Sequence, residues 1–391
     1  MSGGQAVEPF MEPFGDRPVP LTAEQEALIG LSKDEIDTPA LLLDLDMFER
    51  NATKISTFLR EHNLDWRPHS KAHKSPQIAR RQMQLGAIGP ICAKPSEAQV
   101  MVDWGIPRVL IANEQGRRSK YDRIAALNRR AEVITCADSP AHVEMASAAG
   151  VAAGIDIPLL VSLDVGMDRT GAMPGRPALE LARQIVRTPG VSFQGVMGYE
   201  GHLLTVWPLE EKHRQTHEAM NRMVETARLI ESDGIPVRIV SGGGSGSYMT
   251  SGLVKGMTEI QAGGACFMDR FYGDECHMDG DFEYAVTVVS TITSRPIPER
   301  AIMDAGFKTM SSGESGNPRP IDLPGASLVY LSAEHGNIAL EPEAQGLRIG
   351  DRVEWILGYS DTTTFLHDHF VGIRNGRVTA VIPILARGRL T

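Results

Sequence analysis

A short basic stretch, RPHSKAHKS at residues 67–75, contains the side chains of this chain that are best suited to covalent chemistry. It carries two lysines, Lys71 and Lys74, and two histidines, His69 and His73, and it follows a strand-like apolar run. A lysine there attacks a carbonyl when nearby cations and partial burial favour its uncharged amine. Taken alone, the stretch is more typical of a solvated basic turn. Its assignment therefore depends on the rest of the chain.

Two glycine-rich loops, each after a later strand-like run, are the second feature of the chain that is suited to this chemistry. They are SGGGSGS at residues 241–247 and QAGGA at residues 261–265. Glycine lets backbone N–H groups wrap an anion closely, so these loops predict a phosphate site with backbone donors at Gly243, Gly244 and Gly264. SGGGSGS by itself also resembles a flexible linker, and its position directly after a strand is what favours the phosphate site. A lysine that faces a phosphate cradle indicates pyridoxal 5′-phosphate, a phosphorylated aldehyde.

The lysine and the glycine loops need a scaffold that brings several strand ends together. Apolar runs alternate with helical segments, and eight runs are strand-like: 66–71, 89–94, 108–113, 132–137, 159–165, 193–199, 238–242 and 259–263. Near-continuous apolar strands separated by helices are typical of a parallel sheet covered on its outer side. Eight repeats predict a closed (β/α)8 TIM barrel, in which reactive side chains follow the strands.

The pattern changes after about residue 283, where β-like runs replace the helices and an Asn-Gly pair at 375–376 predicts a hairpin turn. The sequence therefore predicts an α/β chain in three parts. These are an extended N-terminal arm (1–37) with one helical turn around 22–31, a barrel (38–282) and a C-terminal all-β domain (283–391). Periodicity leaves open whether the run at 38–46 belongs to the barrel or to the β domain.

Composition narrows the class of partner. The formal net charge of -10 argues against a nucleic-acid surface and leaves a small molecule as the expected ligand. No apolar run approaches the roughly 20 residues that span a bilayer, and the N-terminus lacks a signal-peptide pattern, so no membrane partner is expected. The four cysteines, Cys92, Cys136, Cys266 and Cys276, have no metal-site spacing and predict reduced thiols in a cytoplasmic protein.

The chain resembles the alanine racemase-type (fold type III) pyridoxal phosphate enzymes. Within them it is similar to the group of D-threonine aldolase, D-serine dehydratase and 3-hydroxy-D-aspartate aldolase. The matching stretches run in order from about residue 38 to 388: TPALLLDLD, RPHSKAHKS, AKPSEA, DVGMDRTG, SGGGSGS, the segment from Glu259 to Gly273, DAGFK, EHG, LHDHFVGIRNG and ARG. The resemblance implies that Lys71, rather than Lys74, holds the cofactor as a Schiff base. It also implies that the strand at 38–46 packs with the β domain and that the enzyme is a homodimer.

Further site residues come from the same resemblance. It implies cofactor contacts from Ser245, Gly263, Gly264 and Tyr272. Arg169 matches the arginine that lies near the ring hydroxyl of the cofactor, although a structural ion pair with Asp164 or Asp168 is the alternative. Tyr199 is expected to contact the cofactor or else to fill a layer of the barrel. His69 is expected to be a hydrogen-bond partner beside the cofactor.

The chain departs from these relatives in a C-terminal loop. The aldolases and dehydratases hold a divalent metal there with a His-x-Asp or His-x-Cys pair, whereas this chain has Tyr359 and Asp361. Neutral tyrosine is a poor ligand compared with imidazole, so Asp361 is expected to bind magnesium or manganese only weakly, and the presence of a metal stays open. His335 and His367 are reserve ligands. Arg270 either pairs with a second substrate carboxylate or lies at a surface.

Three reactions on an amino acid remain open. The favoured one is retro-aldol cleavage of a D-configured 3-hydroxy amino acid to glycine, or another simple amino acid, and an aldehyde. Lys71 would then serve as the amine base, and Tyr359, Glu200 or His202 would accept the β-hydroxyl proton. Dehydration of D-serine or 3-hydroxy-D-aspartate leans harder on a Lewis acid, and a metal-independent racemase needs only Lys71 and Tyr359. A cofactor carrier without turnover is the non-enzymatic alternative.

Overall fold

A computed structural model of the chain describes residues 8–312 and 316–391. The strands are β1 (Ala40–Asp44), β2 (Asp65–Trp66), β3 (Ile91–Cys92), β4 (Arg108–Ile111), β5 (Glu132–Ala137), β6 (Ile157–Leu163), β7 (Val191–Gly198), β8 (Ile239–Gly242), β9 (Glu259–Ile260), β10 (Val286–Ile297), β11 (Arg300–Met303), β12 (Arg319–Pro320), β13 (Ala326–Leu331), β14 (Gly336–Leu340), β15 (Arg352–Ile356), β16 (His369–Arg374) and β17 (Arg377–Pro383). The α-helices are α1 (Ala23–Leu28), α2 (Leu45–Glu61), α3 (Pro76–Gln84), α4 (Pro95–Asp103), α5 (Arg118–Leu127), α6 (Pro140–Ala153), α7 (Arg176–Arg187), α8 (Leu209–Ser232), α9 (Tyr248–Gly252) and α10 (Ser360–Thr363).

Contacts divide the chain into two compact units. The barrel unit contains Thr53–Lys71, Gln82–Gly263 and Gly388–Thr391. The β unit contains the chain up to Ala52 together with Ala72–Arg81 and Gly264–Arg387. No helix among residues 8–312 and 316–391 is long and apolar enough to cross a membrane.

The barrel unit is built on eight parallel strands in the order β2-β9-β8-β7-β6-β5-β4-β3. Parallel bridges from Trp66 to Ala87 and from His69 to Ile91 join the two ends of this sheet, which confirms the predicted (β/α)8 barrel. Buried side chains from five successive strands, β3 to β7, form one hydrophobic cluster, as expected for strands covered on both faces. Its members are Ile91, Leu110, Ile134, Cys136, Leu160 and Met197.

The first barrel strand is shorter than the apolar run that predicted it. β2 ends at Trp66, whereas the run extends to residue 71. Pro68 has no N–H to donate to a neighbouring strand, so regular pairing stops before it. Irregular hydrogen bonds continue alongside β9, from Arg67 N to Ile260 O and from His69 N to Gln261 O. The lysine-bearing stretch is therefore held against the strand that precedes the second glycine loop.

The β unit contains a nine-stranded sheet, whose main path is β13-β14-β11-β10-β1-β16-β17. β1 lies inside this sheet, antiparallel to β10 and parallel to β16. β16 and β17 form the predicted hairpin, in which Asn375 and Gly376 have φ angles of 49° and 72°. Both central residues of a type I′ turn need such left-handed φ values, which is why Asn-Gly predicts this turn.

The N-terminal arm packs tightly within its own unit. Of this arm, residues 1–7 lie outside the described residues. The predicted helical turn is present as α1, which Thr22 and Gln25 close with a capping box. The Arg80 guanidinium donates to the carbonyl oxygens of Pro9, Glu12 and Pro13. Phe10 is fully buried, so the arm contributes to the core of the β unit and is less extended than the sequence indicated.

Candidate active site

The Lys71 turn directly follows β2. Lys71 lies in the 3-10 turn Ser70–Ala72 and is half-buried. Its backbone N–H donates to His69 Nδ1 over 3.1 Å. Because His69 Nδ1 accepts this bond, any proton on the neutral ring is carried by Nε2. His69 therefore holds the backbone of the lysine in place, and its expected place beside the cofactor remains a prediction.

A buried carboxylate that sequence reasoning missed also supports this turn. Glu97, in the first turn of α4, is fully buried and accepts bonds from Ser70 Oγ (3.1 Å) and from the Ala93 backbone N–H (2.9 Å). A negative side chain at a helix N-terminus is favoured by the helix dipole. The signal was present in the AKPSEA motif, where Glu97 occupies the third helical position typical of a capping glutamate.

The two glycine loops lie beside each other and beside the Lys71 turn. Gln261 N donates to the carbonyl oxygens of Gly242 and Gly243, which joins the first loop to the second. A Cβ atom at Gly263 would lie 2.7 Å from the His69 carbonyl oxygen, closer than real Cβ atoms approach any atom. Only glycine at position 263 therefore allows the second loop to touch the lysine turn.

Two of the predicted phosphate donors, the backbone N–H groups of Gly243 and Gly244, are already bonded to other acceptors. The Gly243 N–H donates to Glu200 Oε2 over 3.3 Å, and the Gly244 N–H donates to Ser247 Oγ over 3.0 Å. The backbone N–H groups of Gly246 and Gly263, in contrast, donate to no acceptor within the described parts of the chain. In the barrel unit we therefore expect the amides of Gly246 and Gly263, rather than those of Gly243 and Gly244, to bind an anion.

Tyr199 and Arg169 extend the site along the strand ends. Tyr199 follows β7, and its ring lies against Gly244, where a Cβ atom would be 2.8 Å from Tyr199 Cε2. The Arg169 guanidinium lies over the same ring, 5.7 Å from its centroid. Both residues line a pocket at the carboxyl ends of β6 and β7. Tyr199 thus faces a pocket, and its ring also packs against the first glycine loop.

The alternative ion pair of Arg169 is not formed. Asp164 Oδ1 instead accepts the backbone N–H groups of the next turn, from Gly166, Met167 and Asp168. Within residues 8–312 and 316–391 Arg169 makes no salt bridge, and its side chain is exposed to solvent at the pocket. The guanidinium is therefore available to an anionic ligand.

His202 lies next to the same turn. It is part of the 3-10 turn Gly201–Leu203 and is exposed. Its Nε2 is 3.1 Å from the position that a Cβ atom would take at Gly166. The structure thus brings His202 to the loop that carries Arg169, which leaves its predicted catalytic role open.

In the β unit, one buried carboxylate connects two segments that carry predicted site residues. Asp269 Oδ2 accepts the backbone N–H and the hydroxyl of Ser360, each over 2.7 Å, and Oδ1 accepts the Tyr272 N–H over 3.0 Å. Burial raises the pKa of Asp269 to about 7, and the hydrogen bonds from Ser360 and Tyr272 oppose this rise. Tyr272 also packs on Gly264, where a Cβ atom would be 2.3 Å from the tyrosine hydroxyl.

Tyr359 and Asp361, the pair that replaces the metal motif, are bonded to each other. The Tyr359 hydroxyl donates to Asp361 Oδ2 over 2.7 Å, and its ring lies 5.0 Å from that of Phe271. Of the reserve ligands, His367 bonds through Nε2 to the Thr309 carbonyl oxygen and His335 is exposed. Across the described residues, no group of three or more His, Cys, Asp or Glu side chains is arranged to hold a metal.

Arg270 is already neutralised within the β unit. Its guanidinium bonds to the Asp274 carboxylate over 2.6 Å and to the Asn317 carbonyl oxygen over 2.6 Å. A guanidinium held by a carboxylate four residues further along a helical turn is a common structural pair. Pairing with a second substrate carboxylate would have to break this contact.

The barrel carries a lysine after its first strand and glycine loops after its last two strands, and a β domain follows it in the sequence. This combination defines a fold type III pyridoxal phosphate enzyme. Residues 43–271 match the family model "Alanine racemase, N-terminal domain", and residues 285–373 match "Putative serine dehydratase domain". The chain belongs to this alanine racemase-like family, in the group that includes D-threonine aldolase and 3-hydroxy-D-aspartate aldolase.

Three relatives cover nearly the whole chain. A D-threonine aldolase from Arthrobacter sp is 37% identical over 355 residues, which are 90% of this chain and 93% of the relative. A 3-hydroxy-D-aspartate aldolase from Paracoccus denitrificans (strain Pd 1222) is 33% identical over 93% of this chain and 95% of the relative. The crystal structure of D-threonine aldolase from Filomicrobium marinum superposes with a TM-score of 0.90 at 36% identity, covering 93% of this chain and 99% of that one.

Proposed function

We propose that this protein is a pyridoxal phosphate-dependent lyase that cleaves D-configured 3-hydroxy amino acids to glycine, or another simple amino acid, and an aldehyde. The observation that carries the proposal is the continuous set of contacts at the barrel mouth, meaning the carboxyl ends of the barrel strands. There the Lys71 turn touches Gly263, and the first glycine loop touches Tyr199. The similarity to D-threonine aldolase and 3-hydroxy-D-aspartate aldolase supports the choice of reaction.

The residues present fit the cofactor that the family implies. Glycines stand where a side chain would clash, and the Gly246 and Gly263 amides have no other acceptor in the described residues. We propose that these amides and Ser245 hold the phosphate, that Lys71 holds the aldehyde carbon and that Tyr199, His69 and Arg169 orient the ring. When bound, pyridoxal phosphate withdraws electrons from the α-carbon of an amino acid, which weakens the bonds to that carbon.

The chain itself has to move two protons during the cleavage. One leaves the β-hydroxyl group as the bond between the α- and β-carbons breaks, and the other returns to the α-carbon of the product. We propose that the Tyr359 oxygen accepts the first while its own proton passes to the Asp361 carboxylate, to which it is hydrogen-bonded over 2.7 Å. Lys71 Nζ supplies the second. His202 is the second candidate for the hydroxyl proton, because it is exposed beside the loop of Arg169.

A product assay tests this function. Purified protein loaded with pyridoxal phosphate is incubated with D- and L-3-hydroxy amino acids, and aldehyde, keto acid and enantiomer composition are measured together. Glycine and aldehyde from the D-substrates alone are expected. Keto acid and ammonia would establish a dehydratase instead, and interconversion of enantiomers without cleavage would establish a racemase.

The same proposal includes a homodimer in the cytoplasm. The four cysteines are buried and none forms a disulfide within the described residues, which suits a reducing compartment. The dimer is proposed from the family resemblance, and light scattering on the purified enzyme measures it directly. We also propose that any magnesium or manganese bound at Asp361 is weak and exchangeable.

A further inference from the structure

Glu200, which directly follows Tyr199, is fully buried and accepts three hydrogen bonds from one short stretch of chain. Its Oε1 accepts the hydroxyls of Ser247 (2.5 Å) and Ser251 (2.9 Å), and its Oε2 accepts the Gly243 N–H (3.3 Å). All three donors lie in the first glycine loop or in α9, which follows it. One carboxylate therefore holds both the start and the end of that loop.

This carboxylate has no cationic partner within the described residues. The other buried carboxylate of this part of the barrel, Glu259, pairs with Arg67 over 2.9 Å, whereas Glu200 makes only hydrogen bonds. Burying an ionised group without a counterion is costly, and several short bonds from neutral donors are the means of offsetting that cost. Such an arrangement costs stability, and what it provides here is a defined loop conformation.

The bonds of Glu200 decide which amides of the loop remain open. Gly243 donates to Glu200 itself, and Gly244 donates to Ser247, whose hydroxyl Glu200 holds in place. Between residues 241 and 247, Gly246 is the one residue that is not buried. Its N–H donates to no acceptor in the part of the chain that the structure describes. The amides of Gly243 and Gly244 are thus already hydrogen-bonded within the loop region, whereas the amide of Gly246 remains available to an anion.

We propose that Glu200 is a positioning residue that holds the first glycine loop in its anion-binding conformation, with the Gly246 amide presented to the phosphate of the cofactor. The inference rests on the proposed function, because it assumes that the phosphate binds at this loop. Glu200 touches neither the cofactor nor the substrate in this role. Ser247 and Ser251 transmit its effect, Ser247 from the loop and Ser251 from α9.

Cofactor affinity of the apoenzyme is the measurement that tests this role. Apoenzyme is titrated with pyridoxal phosphate and, separately, with pyridoxal, which has the aldehyde but no phosphate; absorbance and tryptophan fluorescence follow binding. For Glu200→Ala we expect the Kd for pyridoxal phosphate to rise about tenfold to a hundredfold, since three donors lose their acceptor. The Kd for pyridoxal should change less than about threefold, because pyridoxal does not use the loop.

Conservative variants separate positioning from simple loss of fold. In Glu200→Gln the oxygen can keep the Gly243 N–H, and the serine hydroxyls can turn to accept from the new NH2 group. Affinity for pyridoxal phosphate should then fall no more than about threefold. Ser251→Ala removes one of the three bonds and should have an effect between those of Glu200→Gln and Glu200→Ala. Ser290→Ala, at a buried serine of the β unit, is the matched control and should leave both Kd values unchanged.

Thermal unfolding of each apoenzyme completes the design. A merely structural Glu200 would lower the unfolding midpoint of Glu200→Ala while leaving its Kd for pyridoxal phosphate at the wild-type value, and this result overturns the proposal. Equal losses of affinity for pyridoxal and pyridoxal phosphate also overturn it. Should Glu200→Ala not fold, Glu200→Gln and Ser251→Ala still give the comparison. A wild-type protein that binds no pyridoxal phosphate overturns the proposed function itself.

Discussion

Lys71 and Lys74 are three positions apart, yet their backbone conformations differ. Lys71 lies in a 3-10 turn after β2, is half-buried and has its N–H fixed by His69. Lys74 has a left-handed φ of 49°, its side chain is buried, and its carbonyl oxygen accepts the Ala386 N–H. Of the two, Lys71 is therefore the lysine that follows a barrel strand in the position that barrel enzymes use for chemistry.

Borohydride reduction should fix the pyridoxyl group to Lys71. Peptide mapping of the reduced wild-type protein is expected to show one labelled peptide, and Lys71→Ala should show none. Lys74→Ala should keep the label at Lys71, because the amine that attacks the aldehyde is unchanged. A label on Lys74 or Lys308 would show that the site has been assigned to the wrong lysine.

Tyr359→Phe should impair proton transfer rather than binding. The variant keeps the ring that packs on Phe271 but loses the hydroxyl bonded to Asp361. We expect kcat to fall about a hundredfold with KM within about threefold, which is the usual effect of losing an acid–base group. Tyr330→Phe, at an exposed tyrosine of β13, is the control and should behave as wild type. A KM effect as large as the kcat effect would argue that Tyr359 only binds substrate.

The second glycine loop passes so close to the lysine turn that residue 263 has to be a glycine. A methyl group at position 263 would lie 2.7 Å from His69 O and 2.8 Å from His69 N, both backbone atoms that cannot rotate away. We therefore expect Gly263→Ala to displace the turn and to raise the Kd for pyridoxal phosphate by about tenfold or more. Gly116→Ala, in a loop with open space around it, should bind the cofactor as wild type does. Equal affinities of the two variants would show that this contact is not needed.

The N-terminal arm depends on Arg374 of β16. This guanidinium bonds to Glu8 over 2.9 Å and to Glu49 over 2.8 Å, and it also contacts Asp46, with its own side chain 18% exposed. Arg374→Ala removes the arginine partner of Glu8 and Asp46 and one of the two arginine partners of Glu49, which also pairs with Arg81. It should lower the free energy of unfolding by roughly 2 kcal/mol.

The matched control for the arm is Arg118→Ala, which removes a solvent-exposed pair with Asp122 within α5. Pairs of that kind are worth at most about 0.5 kcal/mol. Urea unfolding of both variants gives the two free energies. A loss as small for Arg374→Ala as for Arg118→Ala would mean that these ion pairs do not hold the arm, and that its apolar contacts and its other hydrogen bonds, such as those from Arg80, do.

For the molecule as a whole, the sequence was most informative where the signal is local. Near-continuous apolar runs between helices predicted the eight barrel strands, and Asn375-Gly376 predicted its own turn. Periodicity could not assign β1, because its partners are strands that begin at residues 286 and 369. It could not show that Glu200 takes up the Gly243 amide either, since this bond joins residues 43 positions apart. Hydrogen bonds made across the fold leave no trace in residue spacing.

The C-terminal loop with Tyr359 and Asp361 predicts how the activity of the enzyme depends on a metal ion. One oxygen of Asp361 accepts the Tyr359 hydroxyl, and His367 Nε2 is bonded to a backbone carbonyl, so a transition metal would have to displace existing bonds. A hard cation held by one carboxylate and water binds weakly. We therefore expect turnover to survive treatment with a chelator, or to return when magnesium or manganese is added at high concentration. Metal analysis of the purified enzyme provides the check, because stoichiometric zinc together with complete loss of activity on chelation would show that a histidine such as His335 or His367 has completed a metal site.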